Sequence, residues 1–121
     1  MTIKITVKTR HIAEQSDPKN HRFVFAYSIN IENQSDQPVQ LLNRYWLITD
    51  ANGKKVEVQG AGVVGEQPTI EPDKSYSYTS GCILETELGT MEGHYEFQHQ
   101  DKSLFKQTIP VFRLSLPNIV H

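Results

Sequence analysis

Alternation of apolar and polar residues with a period of two is the strongest pattern in this sequence. Between Arg22 and Glu32, every second residue is large and apolar, and polar or small residues fill most of the positions between. Successive side chains of a β-strand point to opposite faces, whereas a helix would scatter the same residues around its axis. The segment is therefore predicted to be a strand that buries one face, formed by Phe23, Phe25, Tyr27, Ile29 and Ile31.

The same period, interrupted by turn-forming residues, recurs along the chain. Strands are predicted at 2–8, 22–32, 41–49, 54–59, 75–84, 94–99 and 105–111, with loops at 14–21, 33–38, 60–74 and 85–92. Apolar residues on both faces of 41–49 predict a central strand covered on each side. Pro110 predicts an edge, a bulge or a strand break. About seven strands over this length indicate an all-β, two-sheet sandwich of the immunoglobulin or fibronectin type III kind, with residues 1–121 as a single domain.

Composition limits the possible environments and partners. The net charge is −2, so we expect no nucleic-acid partner, because such proteins normally carry a basic excess. The alternating N-terminus is not a signal peptide, and no segment has the roughly 20 apolar residues of a membrane helix. The lone cysteine, Cys82, allows no internal disulfide. We expect a soluble cytoplasmic protein without membrane insertion.

A late strand resembles one feature of immunoglobulin-type sandwiches. In those domains a tyrosine at the start of such a strand bonds back to the upstream backbone, with a core residue two positions later. Tyr95 and Phe97 have this spacing, and Trp46 falls on the predicted third strand. The alternative interpretation is that these residues are three ordinary core aromatics.

Gly60, Gly62 and Gly65 form a literal G-x-G-x-x-G motif. In dinucleotide-binding folds this motif leads into a helix whose N-terminus holds a pyrophosphate. Here Pro68 and Pro72 follow, and two prolines four residues apart do not carry that helix. The motif predicts a glycine-rich loop with positive-φ positions, and contact of this loop with a ligand or partner stays open.

No residue pattern predicts a cofactor, a metal site or catalysis. The five histidines lack metal-ligand spacing, and no serine lies in a nucleophile elbow. Cys82 shares a strand face with Leu84, and a lone buried cysteine is usually inert. Residues 56–101 hold nine acidic residues and one basic residue, which indicates a solvated acidic surface or a weak attraction for cations. We therefore predict a protein that is not an enzyme.

Arg44, Tyr45 and Trp46 are the strongest candidates for a binding surface. These residue types are enriched at interface hot spots because they supply contact area with few lost rotamers. The alternative is that Tyr45 and Trp46 belong to the core, with Arg44 as an ion-paired surface residue.

Nearly the whole chain resembles the ApaG family. The similarity is carried by the segments 23–27, 39–48, 57–65, 76–81, 88–95 and 109–114, together with Pro68. The resemblance implies a fibronectin type III-like sandwich in a bacterial cytoplasmic protein, loosely associated with cobalt and magnesium efflux or resistance. Related eukaryotic domains, in F-box proteins and in a polymerase-delta-interacting protein, look like partner-binding modules. The family supplies no agreed catalytic residues, so none is assigned here.

Two functional hypotheses follow from the residues and the resemblance together. The first is a non-catalytic binding or regulatory module with a protein partner, acting as a monomer or a weak homodimer. The second is direct binding of a small anion, such as pyrophosphate or a nucleotide, or of a divalent cation, through the glycine loop or the acidic surface.

Overall fold

The computed structural model describes residues 2–117, and almost all of its regular structure is β-strand. The eight strands are β1 (Ile3–His11), β2 (Phe23–Asn33), β3 (Val39–Asp50), β4 (Lys55–Ala61), β5 (Thr69–Ile70), β6 (Ser75–Leu84), β7 (Leu88–His99) and β8 (Leu104–Ser115). Two single-turn 3-10 helices, Ala13–Gln15 and Pro18–Asn20, lie between β1 and β2.

The strands form two antiparallel sheets that pack face to face. One sheet has the order β1-β2-β6, and the other has the order β4-β3-β7-β8 with the short β5 paired to β3. The predicted all-β sandwich is confirmed, with eight strands where about seven were expected. The additional strand is β5, whose two residues are too few to show an alternating pattern in the sequence.

The core lies between the two sheets and follows the predicted alternation. On β2 the predicted inward residues are all buried, and the ladder to β6 is unbroken from Phe23–Leu84 to Glu32–Ser75. Opposite them, β3 and β7 contribute the largest buried side chains of the second sheet, namely Leu41, Trp46, Met91, Tyr95 and Phe97.

Asn33, at the end of β2, is a buried polar residue that connects the two sheets. Its side-chain amide donates to the carbonyl oxygens of Gln37 (2.8 Å) and Ile70 (2.9 Å), and Ile70 belongs to β5 of the other sheet. Its side-chain oxygen accepts bonds from the backbone N–H (2.9 Å) and the hydroxyl (2.6 Å) of Ser35. All the capacity of this amide is therefore used to fix two loops.

Some sequence predictions are corrected by the structure. The predicted loop 85–92 is wrong from Leu88 onward, because β7 begins there. β7 keeps its alternation through this half, but glycines occupy its inward positions 89 and 93, so no run of large apolar residues marks the strand; the extra residue of the bulge beside Met91 and Gly93 lies on β8. β3 is central within its sheet, as predicted, but it is not covered on both faces, since Tyr45 and Leu47 remain partly exposed. Pro110 lies within that bulge, on the edge strand β8, as the sequence predicts.

Candidate functional site

The outer face of the five-stranded sheet carries an open depression of about 600 Å³. Alternation along β3 turns Trp46 into the core and places Asn43 and Tyr45 on this outer face. Cross-strand pairing sets His94 of β7 and Gln59 of β4 on either side of Tyr45. A second hollow of about 270 Å³ adjoins the first and is lined in part by Leu47, Glu92, Thr108 and Val111.

A stacked aromatic pair forms the centre of this face. The rings of Tyr45 and His94 lie 5.1 Å apart with an interplanar angle of 22°. The Tyr45 hydroxyl donates to the Glu57 carboxylate of β4 at 2.9 Å, and this hydrogen bond raises the pKa of the tyrosine. Because both neighbouring strands hold it, the Tyr45 ring is presented in one orientation.

Polar and charged side chains surround the aromatic pair. The side-chain amide of Asn43 donates to Glu96 at 2.8 Å, and Lys106 of β8 pairs directly with Glu96 in the strand register. Val111, 61% exposed, lies at the margin of the smaller hollow. An aromatic centre with a polar rim is the usual anatomy of a protein interface.

Arg44 and Trp46 point to the opposite side of β3. Trp46 is only 2% exposed and packs edge-on against Tyr27, Tyr95 and Phe112, so it cannot contact a partner. Arg44 extends along the inner face to β4, where it donates to the carbonyl oxygens of Ala61 (3.1 Å) and Gly62 (3.0 Å). Of the three residues selected from the sequence, only Tyr45 lies at the centre of the outer face.

The glycine motif serves backbone geometry. Gly60 lies within β4, where a Cβ would come within 2.8 Å of the Arg44 guanidinium. Gly62 has φ +64, and a Cβ there would overlap the backbone carbonyl of Glu66. Val64 (φ 49) and Gly65 (φ 78) occupy the centre of a two-residue hairpin turn, which matches type I′ geometry.

Hydrogen bonds within the protein already occupy several amides of this loop. The N–H of Gly62 donates to Leu42 at 2.7 Å, and Val63 and Glu66 exchange N–H to carbonyl bonds of 2.8 and 3.0 Å. A phosphate-binding loop instead directs such amides toward the anion. Gly60, Gly62 and Gly65 are therefore explained by close packing and positive φ.

Of the two interpretations of Trp46, Tyr95 and Phe97, the structure supports three ordinary core aromatics, because all three are buried and the Tyr95 hydroxyl does not bond to the upstream backbone. It contacts the hydroxyl of Tyr78, across the core on β6. Burial raises the pKa values of both phenols well above their usual range. Near them, Trp46 Nε1 is buried without a hydrogen-bond partner among residues 2–117.

The other side chains that could act in catalysis or metal binding are either far apart or already hydrogen-bonded or buried within the protein. Burial raises the pKa of Cys82 to about 11, which keeps its thiol protonated and unreactive. The His11 ring lies 3.1 Å from the Ser16 hydroxyl, which itself donates to the Ile12 carbonyl. Within residues 2–117, no three His, Cys, Asp or Glu side chains cluster to hold a metal ion, and no helix could span a bilayer.

The strand order and the packing of the two sheets define a fibronectin type III-like sandwich. The chain belongs to the ApaG family, since a family model described as "ApaG domain" matches residues 13–99. It is 55% identical over 117 residues to Protein ApaG of Escherichia coli, covering 97% of this chain and 94% of that protein. It is 53% identical over 120 residues to Protein ApaG of Photobacterium profundum, covering 99% and 94%.

A solved structure shares both the fold and much of the sequence. The putative ApaA protein from Bordetella pertussis superposes with a TM-score of 0.94 at 40% identity, covering 98% of this chain and 96% of that one. The fold expected from the resemblance is thereby confirmed.

Sequence reasoning selected Tyr45 but missed most of the residues around it. The shared strand face of His94 and Glu96 can be read from the alternation, because both are even-numbered positions of one strand. Their position beside Tyr45 and Asn43 depends on the pairing of β3 with β7, which is shifted by a bulge between Leu41 and Asn43. No local pattern in the sequence specifies that shift.

Proposed function

We propose that this protein is a non-catalytic binding module whose protein partner docks on the outer face around Tyr45 and His94. The observation that carries the proposal is the stacked aromatic pair, held in one orientation at the centre of an open, polar-rimmed depression. Rigid aromatic side chains lose little entropy when a partner covers them, so they contribute strongly to binding.

The chemistry of the described residues supports a binding role over a catalytic one. The depression is lined by a tyrosine, a histidine, two amides, a carboxylate, a lysine and Arg44, with no serine, threonine or cysteine among its lining residues. The buried thiol of Cys82 points to the opposite sheet's inner face. Because the protein contributes no activated nucleophile to this surface, we propose that the surface binds a partner and does not catalyse a reaction.

Partner capture from a native lysate tests this proposal. The chain is compared with Tyr45→Ala and His94→Ala, and with Thr6→Ala as a matched control on the exposed strand β1 of the other sheet. We expect Tyr45→Ala to weaken binding of the captured partner by about 30-fold, as hot-spot truncations of about 2 kcal/mol do, and Thr6→Ala to leave it unchanged.

Two results would count against the proposal in different ways. Recovery of no specific partner at physiological concentration refutes the binding role itself. A partner retained by both Tyr45→Ala and His94→Ala refutes this face as its binding site. Gly62 is unsuitable for such a test, because any side chain there overlaps the backbone of Glu66.

Direct binding of a small anion or a divalent cation is the alternative function from the sequence. The engaged amides of Gly62, Val63 and Glu66 do not favour an anion in the glycine loop. Calorimetry with Mg²⁺, Co²⁺, pyrophosphate and diadenosine nucleotides distinguishes the two functions, since the module predicts no heat with any of them at millimolar concentration. In our proposal, an association with cobalt or magnesium efflux operates through the protein partner. The cytoplasmic location of the protein stays a prediction.

A further inference from the structure

Within residues 2–117 the two sheets have four long edge strands besides the two-residue β5, and β6 is the one whose sequence does least to prevent pairing. Charged residues, prolines and bulges normally protect a sheet edge from added strands. Such residues occur on β1 (Lys4, Lys8, Arg10), on β4 (Lys55, Glu57) and on β8 (Lys106, Pro110, Arg113). The ten residues of β6, Ser75–Leu84, include no charge and no proline, and their register with β2 has no bulge.

The free edge of β6 lies beside a groove between the two sheets, bordered on its other side by β4. At one end, Ile48, Val56, Ile83 and Leu84 line a hollow of about 130 Å³. Val56 is 45% exposed and Ile83 is 53% exposed, so this end of the groove presents apolar side chains to solvent. Lys54 and Glu85 close this end with an ion pair of 2.7 Å.

Arg44 lies in the same groove, four residues from Ile48 along β3. Tyr95 is its neighbour in the register, and the Tyr95 hydroxyl reaches β6 at Tyr78, so Arg44 faces the space between the sheets. Its guanidinium is partly buried and bonds only to backbone carbonyls, and no carboxylate of residues 2–117 lies within ion-pair distance. A partly buried arginine without a carboxylate partner is a site that attracts an anion.

We propose that an extended segment of a partner protein adds to β6 as a fourth strand of the smaller sheet. Main-chain hydrogen bonds to the unpaired edge supply affinity, and alternate side chains that point into the groove supply specificity. One of them is apolar and fills the hollow beside Ile48, and another is an aspartate or glutamate that pairs with Arg44. Four residues separate Arg44 from Ile48, about 13 Å along a strand, so the partner's two side chains are also four residues apart.

A second copy of this chain fits the groove poorly. β6 contains no acidic residue, so a symmetric β6–β6 pair supplies no carboxylate to Arg44. The twofold axis of such a pair would also bring the two Arg44 guanidiniums toward each other without counter-ions. Arg44 also borders the depression around Tyr45, but its guanidinium lies on the inner side of β3, and the inference does not depend on the proposed function.

Two synthetic heptapeptides test the inference with isotope-labelled protein and NMR. The first is acetyl-Thr-Ile-Thr-Ser-Thr-Glu-Thr-amide, and the second exchanges Ile and Glu to allow for the opposite strand direction. We expect one of them to shift the amide resonances of 75–84 and to slow hydrogen exchange of alternate β6 amides. Replacing its Glu by Gln should weaken binding by about tenfold, the usual contribution of a charge-assisted hydrogen bond.

Protein variants establish whether Arg44 is the group that recognises the carboxylate. In Arg44→Gln, the Glu and Gln peptides should bind equally, whereas Arg113→Gln, the same change at an exposed arginine of β8, should retain the tenfold preference. The affinities of the Glu and Gln peptides can be compared on the wild-type protein alone. The carboxylate preference is therefore still tested if the Arg44→Gln variant folds poorly. The inference is overturned if millimolar peptide shifts no β6 resonance, if shifts map to the outer face, or if protein alone dimerises through β6.

Discussion

Replacing Gly62 by alanine tests whether the glycines of the motif are required for positive φ and close backbone packing, with Gly65→Ala as the matched control. Both glycines have positive φ, +64 and +78, so each alanine pays a similar conformational cost of about 1 kcal/mol after the gain from a less flexible unfolded chain. The two positions differ in space. A Cβ at Gly65 meets nothing within 4 Å, whereas a Cβ at Gly62 overlaps the Glu66 carbonyl.

The overlap at Gly62 determines the expected difference in stability. The Glu66 backbone must move, and its two hydrogen bonds with Val63, of 2.8 and 3.0 Å, then break. Val63 is fully buried, so these groups find no water and each lost bond costs about 1 kcal/mol or more. We expect Gly62→Ala to lower the free energy of unfolding by about 3–4 kcal/mol and Gly65→Ala by about 1 kcal/mol.

Urea unfolding followed by tryptophan fluorescence measures both values, because Trp46 is the single tryptophan and is buried. With a slope of about 2 kcal/mol per molar urea, the midpoints should fall by about 1.5–2 M and about 0.5 M respectively. Equal midpoint shifts for the two variants would refute the geometric explanation of the motif. A ligand-dependent difference in the shifts would instead indicate that the loop binds that ligand.

Three further predictions concern stability. Val64→Asn should stabilise the protein by about 0.5–1 kcal/mol in urea unfolding, because a β-branched residue is strained at φ 49 and asparagine tolerates this conformation; Val64→Ile, equally branched, should give no gain. Asn33→Ala should cost about 3 kcal/mol in the same assay, since it leaves the buried carbonyl of Ile70 and the less buried carbonyl of Gln37 without donors; a cost below 1 kcal/mol contradicts its bridging role. Finally, the pKa of Cys82 is about 11 in the folded protein against a usual 9.0, so unfolding releases a proton above pH 9. Stability from this thiol is complete below pH 9 and declines by about 2 kcal/mol up to pH 11, and Cys82→Ala should flatten that part of the pH profile.

The alternation in the sequence was sufficient to predict the sandwich and its longest strand. Each inward residue of β2 occupies the face predicted for it, because one buried face imposes a period of two. The same reasoning placed Cys82 and Leu84 on a common inward face. These predictions needed no knowledge of which strands are neighbours.

Predictions that depended on strand register were less successful. The bulge at Leu41 and Asn43 sets which outer-face residues meet Tyr45. The Tyr95 hydroxyl finds its partner on Tyr78, a contact across the core that no local spacing encodes. Register and sheet-to-sheet contact are properties of the assembled chain, so short patterns could not supply them.

The explanation of the glycine motif has a consequence for how such motifs are interpreted in other sequences. Position 65 requires only a residue that accepts positive φ, so a relative with asparagine there should fold identically. Position 62 admits no side chain, whatever the protein binds. A search that requires all three glycines would therefore miss true members of this family and collect unrelated nucleotide-binding proteins. The more informative pattern for this fold is a glycine at 62 followed, three residues later, by any residue that readily forms a type I′ turn.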